Sequence, residues 1–209
     1  MRLDLHIHTT RYSRDCSVLN PYNMVVRLRD LGLDGGAVTE HHDIWSQLEL
    51  ERLKHEAQAP SLFLISGKEV ECEVGHLLIF GFNGAIQPGA RATDIIARVH
   101  AVGGAVIWAH PLRFGRYDAL PDERIVEIAR AFDGFEALTP SHTDLENERA
   151  LALARKHHLT ATGGSDAHAG GEIGRCLTRF NRSLFSLTDL AAALRDGACT
   201  PEAGRDSDP

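Results

Sequence analysis

Short apolar runs alternate along most of the chain with stretches whose apolar residues recur at helical spacing. The first kind predicts strands over residues 3–7, 37–39, 61–66, 105–109, 134–138 and 159–162, with a further short one over 176–180. The second kind predicts helices from near Pro21 and over 45–57, 92–102, 122–131, 144–157 and 187–195, the third of them ended by Gly103-Gly104. Residues 70–82, broken at Gly75, read as a hairpin or a strand pair. Strands and helices taking turns in this way predict βα units around a largely parallel sheet. No internal repeat, long linker or low-complexity tract interrupts them, so one domain over residues 1–197 is expected. The small and polar residues 198–209 read as a frayed, disordered tail.

Composition fits that picture without sharpening it. With 209 residues, 43% hydrophobic and 24% charged, the chain has enough sequence for one substantial core. No apolar run is long enough to span a bilayer, and the N-terminus enters patterned sequence with no signal-peptide core, so a cytoplasmic protein away from membranes is expected. The four cysteines, Cys16, Cys72, Cys176 and Cys199, form no CxxC pair and read as reduced, packed thiols. A formal net charge of -7 gives no bulk attraction to nucleic acid or an anionic membrane, although bound cations would reverse the sign locally.

The twelve histidines change the picture, because of where they fall. His6 and His8 end the first strand. Glu40, His41, His42 and Asp43 end the second, Glu69 and Glu71 follow the third, His110 follows residues 105–109, and Asp166 and His168 follow residues 159–162. Each cluster comes after an apolar strand, and in a parallel α/β barrel all those ends share one face. His6 and His8, two apart, project from the same side of a strand, and Asp166 and His168 repeat the spacing. Imidazole with carboxylate and no thiolate suits Zn, Mn or Fe. His42 and Asp43 are candidates to orient ligands, and Asp4 and Glu40 to pair with the free nitrogen of a ligating histidine. The remaining histidines (His55, His100, His142, His157 and His158) read as surface or supporting residues, and Glu71 has no assigned role.

DLHIHT (4–9), TEHHD (39–43), GKEVE (67–71), AHP (109–111) and GSDAH (164–168), in this order and spacing, resemble the successive motifs of the PHP (polymerase and histidinol phosphatase) family, in its short stand-alone form. The resemblance runs from about residue 2 to the region of Gly174. It implies a distorted (β/α)7 TIM-like barrel holding two or three divalent ions (Mn, Zn or Fe). Carried over by motif, a first ion takes His6, His8, Glu69 and Asp166, a second shares Glu69 and adds His76 and His110, and a third takes Asp15, His41 and His168. Asp15 also fits a plain turn position, and His76 an ordinary histidine opening a strand.

The reaction expected from this set is hydrolysis of a phosphate ester. Ions about 3.5–4 Å apart would lower the pKa of a bridging water, and the hydroxide would attack phosphorus in line. Glu69, Asp166 and His168 carry the catalysis in this reading, with Arg113 and Arg175 foremost among four nearby arginines (Arg11 and Arg116 are the others) as phosphate clamps. No residue stands out as general acid. Family resemblance extends to histidinol-phosphate phosphatases, nucleotide phosphatases and exonucleases. The acidic charge and small size favour a small phosphorylated metabolite or nucleotide, with a short oligonucleotide next, and no protein partner is indicated. Two other classes stay open: a C–N hydrolase of the amidohydrolase type, whose bridging carboxylated lysine is replaced here by Glu69, and a non-catalytic metal-stabilised binding module.

Overall fold

The strand β1, Arg2–Ile7, is buried almost along its length, and the rest of the chain is arranged around it. The computed structural model describes residues 1–204. In chain order β1 is followed by α1 (Pro21–Asp30), β2 (Gly35–Val38), α2 (Gln47–Glu56), β3 (Phe63–Ser66), β4 (Lys68–Cys72), β5 (Gly75–Phe80) and α3 (Ala92–His100). Then come β6 (Ala105–Ala109), α4 (Asp122–Ala129), β7 (Gly134–Leu138), α5 (Asp144–Lys156), β8 (Thr160–Gly163), β9 (Cys176–Phe180), α6 (Leu187–Arg195) and β10 (Cys199–Ala203). Helix starts are written locally: Pro21 fills the first turn of α1 behind an Asn20 cap, and Ser46 with Glu49 and Thr143 with Glu146 form capping boxes on α2 and α5.

The strands lie in two five-stranded sheets, ordered β10-β9-β1-β2-β3 and β4-β5-β6-β7-β8. β1, β2 and β3 are mutually parallel, as are β6, β7 and β8, while β5 runs antiparallel to both β4 and β6. The α/β class and the strand pair after residue 70 are as expected. The distorted seven-stranded barrel is not shown: among the described residues no hydrogen-bonded ladder closes the two sheets into one. The corner between them is Gly67, where a Cβ would lie 2.7 Å from the Phe80 ring, so only glycine lets the chain leave β3 and enter β4. At the other seam a single parallel bridge joins Ile7 to Ala167, with His8 N–H donating to Ala167 O at 2.9 Å and Ala167 N–H to His6 O at 3.2 Å.

A second departure is at the C-terminal end. Residues 199–203, expected to fray, form β10, paired antiparallel with β9 from Cys199 opposite Phe180 to Ala203 opposite Cys176. Pro201 is accepted because β10 is an edge strand, and Glu202 takes a 2.8 Å bond from Arg2 Nε. Residues 205–209 of the expected tail lie outside the described residues. Among those described, no helix is long and apolar enough to cross a membrane. All four cysteines are free and buried, as expected, and burial pushes the thiols of Cys72, Cys176 and Cys199 up to about 12.

Asp4 ties the seam together. Its buried carboxylate accepts from the N–H groups of His6 (3.3 Å), Ser165 (3.0 Å) and Gly174 (2.9 Å), clamping β1 to the turns before and after Ala167. Burial pushes this carboxyl up to about 6 against the pull of those amides. Asp4→Ala would leave all three donors buried without an acceptor, at roughly 1 kcal/mol or more each. The expected result is a loss of about 3 kcal/mol in urea unfolding, read as a lower midpoint at unchanged m. A loss below about 1 kcal/mol would show that water replaces the carboxylate.

Candidate metal centre

The first motif brings two imidazoles to the end of β1 with no exposure to solvent. His6 Nε2 and His8 Nε2 face each other at 3.1 Å. His6 Nε2 lies 3.4 Å from Glu69 Oε2 and 3.4 Å from Asp166 Oδ1; for His8 Nε2 the same two distances are 3.2 and 3.4 Å. Glu69, on β4, turns its other oxygen to a second pair: Oε1 is 2.8 Å from His76 Nδ1 and 3.0 Å from His110 Nε2. A third group stands at the mouth, where Asp15 Oδ2 is 3.0 Å from His41 Nε2 and 3.2 Å from His168 Nε2. The rings of His41 and His168 both stack on His8 with centroids 4.5 Å away.

Ligand atoms therefore gather in three sets: His6, His8, Glu69 and Asp166; Glu69, His76 and His110; and His8, His41 and His168. Glu69 belongs to two of them and so does His8. Asp15 joins the third set through its contacts with His41 and His168, and its side chain is half-exposed.

The surroundings orient these groups. Glu136, in β7, places Oε1 3.0 Å from His6 Nδ1 and accepts the His110 N–H on Oε2 at 2.8 Å. A proton on His6 Nδ1 leaves the Nε2 lone pair pointing into the cluster. Ser13 Oγ lies 3.1 Å from His8 Nδ1 and donates to Glu40 Oε2 at 2.5 Å. Ser141 Oγ donates to Asp166 Oδ2 at 2.6 Å, and Arg113 Nη1 does so at 3.3 Å. The peptide before Ser165 passes close to His6: a Cβ on Gly164 would collide with Glu136 Oε1 and His6 Cβ. His110 and Asp166 hold positive φ values of 25° and 49°, a strained backbone for non-glycine residues that aims both side chains inward.

Electrostatics shows what this donor set lacks. Burial by itself would raise the carboxyl of Glu69, yet His6 and the bonds from His110, His6 and His76 hold it well below the carboxylate range. Asp166 is likewise drawn down against burial, by His6, His8 and His110. Burial would lower the pKa of His6, but Glu136, Asp166 and Glu69 hold it well above the usual histidine value. Anionic oxygens and inward lone pairs around one buried point call for positive charge, which a divalent cation supplies better than a shared proton. The residues present fit such ions.

Some expected roles move. Asp4 binds backbone amides and Glu40 reaches His8 only through Ser13, so neither pairs directly with a ligand ring; Glu136 does so instead. His42 and Asp43 are exposed, and the Asp43 carboxylate accepts from Ile44 N–H. Glu71 is exposed, 3.9 Å from Arg116. Arg113 and Arg116 line the cleft beside the cluster, whereas Arg175 is exposed at the start of β9, on the chain segment that Asp4 ties down, and does not line it. His142 is buried, not superficial, and accepts the Leu112 N–H on Nε2 at 3.1 Å, which fixes the turn after His110.

A family model described as PHP-associated matches residues 144–199. A 3′,5′-nucleoside bisphosphate phosphatase of Chromobacterium violaceum is 35% identical over 88 residues, a stretch covering 41% of this chain and 30% of that enzyme. Among solved structures, a candidate metal-dependent phosphoesterase of Bifidobacterium adolescentis is similar with a TM-score of 0.62 at 20% identity, over 79% of this chain and 87% of that one. PsfC from Pseudomonas syringae is similar with a TM-score of 0.69 at 18% identity, over 98% and 91% of the two chains. Fold and site together define an α/β protein with a histidine–carboxylate cluster at its strand ends that could hold metal ions. Within that class, residues 144–199 of this chain are similar to the PHP-associated family.

Proposed function

We infer that this protein is a metal-dependent phosphoesterase acting on a small phosphorylated metabolite or nucleotide. The observation that carries the reading is the sharing of Glu69 and His8 among three donor sets, which suits ions held side by side and not a lone structural ion. His6, His8, Glu69 and Asp166 would hold the first, Glu69, His76 and His110 the second, and Asp15, His41 and His168, with His8 beside them, the third. When bound, such ions supply Lewis acidity towards phosphoryl oxygens and a water acidic enough to act as nucleophile near neutral pH.

The chain's own groups do the rest. Glu136 and Ser13 fix the two β1 imidazoles, and Ser141 holds the outer oxygen of Asp166. Arg113, half-exposed in the cleft, is placed to take non-bridging phosphate oxygens and to offset charge that builds on them. The partial similarity to a nucleoside bisphosphate phosphatase supports a phosphorylated small molecule over a long polymer. Against the amidohydrolase reading, the shared carboxylate is Glu69, and Lys68 precedes it on the strand, facing the other side.

Elemental analysis of purified protein, paired with phosphate release from histidinol phosphate, nucleoside mono- and bisphosphates and short oligonucleotides, tests this reading. Two or three ions per chain and turnover lost in both His8→Ala and Asp166→Ala are expected. Ions without turnover on any phosphate ester would overturn it in favour of amide hydrolysis or a binding module.

A further inference from the structure

One buried carboxylate beside the metal ligands has had no part in the chemistry so far. Glu40, two residues past the end of β2, is wholly shielded from solvent, and four donors converge on it. Oε1 accepts from the Thr9 hydroxyl at 2.5 Å and the Trp45 indole N–H at 3.0 Å. Oε2 accepts from the Thr9 N–H at 3.0 Å and the Ser13 hydroxyl at 2.5 Å. Two bonds to each oxygen lock the carboxylate in one orientation. Burying a carboxylate is unfavourable unless its lone pairs are filled, and an apolar side chain would occupy the same space without that demand. The placement of Glu40 therefore asks for a role other than packing.

The Ser13 hydroxyl shows what that role is. It has one hydrogen, and that hydrogen goes to Glu40. Its lone pairs are left for the His41 N–H at 3.2 Å and for His8 Nδ1 at 3.1 Å. His8 Nδ1 must then carry the ring proton, because the hydroxyl has no second hydrogen to give. The Nε2 lone pair is thereby turned into the cluster, where it lies 3.2 Å from Glu69 Oε2. The same Ser13 oxygen ties down the backbone of His41, whose ring stacks on His8. Without Glu40 the hydroxyl would be free to turn its hydrogen to His8 Nδ1, and the ring proton would move to Nε2, facing the ligands.

We propose that Glu40 is a positioning residue of the metal centre, acting through Ser13 to fix the His8 tautomer and the His41 backbone together. One carboxylate thereby steadies members of two donor sets, the first through His8 and the third through both histidines. The set of Glu69, His76 and His110 contains neither. This rests on the metal-centre part of the reading above and not on which phosphate ester is cleaved.

The test follows metal retention in Ser13→Ala, Glu40→Gln and the double variant by chelator titration of the Zn-loaded proteins. Ser13→Ala removes a single oxygen and leaves the fold intact; should Glu40→Gln fail to fold, Glu40→Asp, which draws the carboxylate back from Ser13, takes its place. Each single variant should hold metal about tenfold more weakly, and the double variant no more weakly than Ser13→Ala, because both changes act through one bond. Proton and nitrogen NMR of the Zn-loaded wild type should show a downfield proton on His8 Nδ1 that moves upfield in Ser13→Ala, a shift that a packing role would not produce. Wild-type retention in Ser13→Ala, losses that multiply in the double variant, or an unmoved His8 proton would each overturn the proposal. Ions held without turnover would fell the phosphoesterase reading and leave this result standing, whereas a wild type that holds no ion overturns both.

Discussion

Glu69→Ala is expected to strip more than one ion from each chain and to lower phosphate release by on the order of a thousandfold. Few carboxylates are asked to do as much. Oε2 lies within 3.4 Å of His6, His8 and His41, and Oε1 within 3.0 Å of His76 and His110, so one side chain faces five imidazoles. Losing any single histidine but His8 thins one set, whereas losing Glu69 removes an anion from two sets at once and leaves the buried histidines to repel one another. Glu69→Gln separates loss of charge from loss of shape. It keeps the volume and one acceptor oxygen, and should show nearly the same loss of metal with a thermal midpoint close to that of metal-free wild type. Elemental analysis of both variants gives the answer, and a full complement of ions in either would remove Glu69 from its bridging position.

The second large effect is expected at a residue that holds no ion itself. Glu136→Gln should weaken metal retention 10- to 100-fold in chelator titrations, with activity partly restored by excess metal. The two oxygens of Glu136 serve ligands of different sets: one faces the His6 ring, and the other accepts from the His110 backbone. A carboxamide has a single acceptor oxygen, so one of those contacts becomes donor against donor. His6 would then lose the partner that fixes its tautomer, or His110 would lose the bond that steadies its strained backbone. Unchanged affinity in Glu136→Gln would mean that packing alone orients His6.

What could be read in advance follows from how far each signal reaches along the chain. The bounds of β6, β7, β9 and α6 coincide with residues 105–109, 134–138, 176–180 and 187–195 because each is a short apolar run or amphipathic turn with its own stop signals. The gathering of His6, His8, Glu69, His110 and Asp166 was legible from period-two spacing and from their place after strands. Glu136 was not singled out, although a signal was there: a carboxylate inside the apolar run Gly134–Leu138 must find a partner when that strand is buried. Ser13 and Ser141 gave no such signal, since a serine in a loop has many ordinary uses. The division into two sheets was hidden because it turns on one close approach, Gly67 against Phe80, between residues 13 apart. β10 was hidden because its pairing with β9, and not its own Thr-Pro-Glu sequence, makes it a strand.

The seam at Ile7 and Ala167 also sets an order of events during synthesis. His6 and His8 are made before β2, while Asp166 and His168 follow only after every strand from β2 to β8 has been made. Until then the β1 imidazoles have no complete coordination shell to join, and the local hairpins and helices can form around an unfinished centre. Loading of the ions therefore belongs to the closing stage of folding, when the earliest and latest parts of the centre first meet.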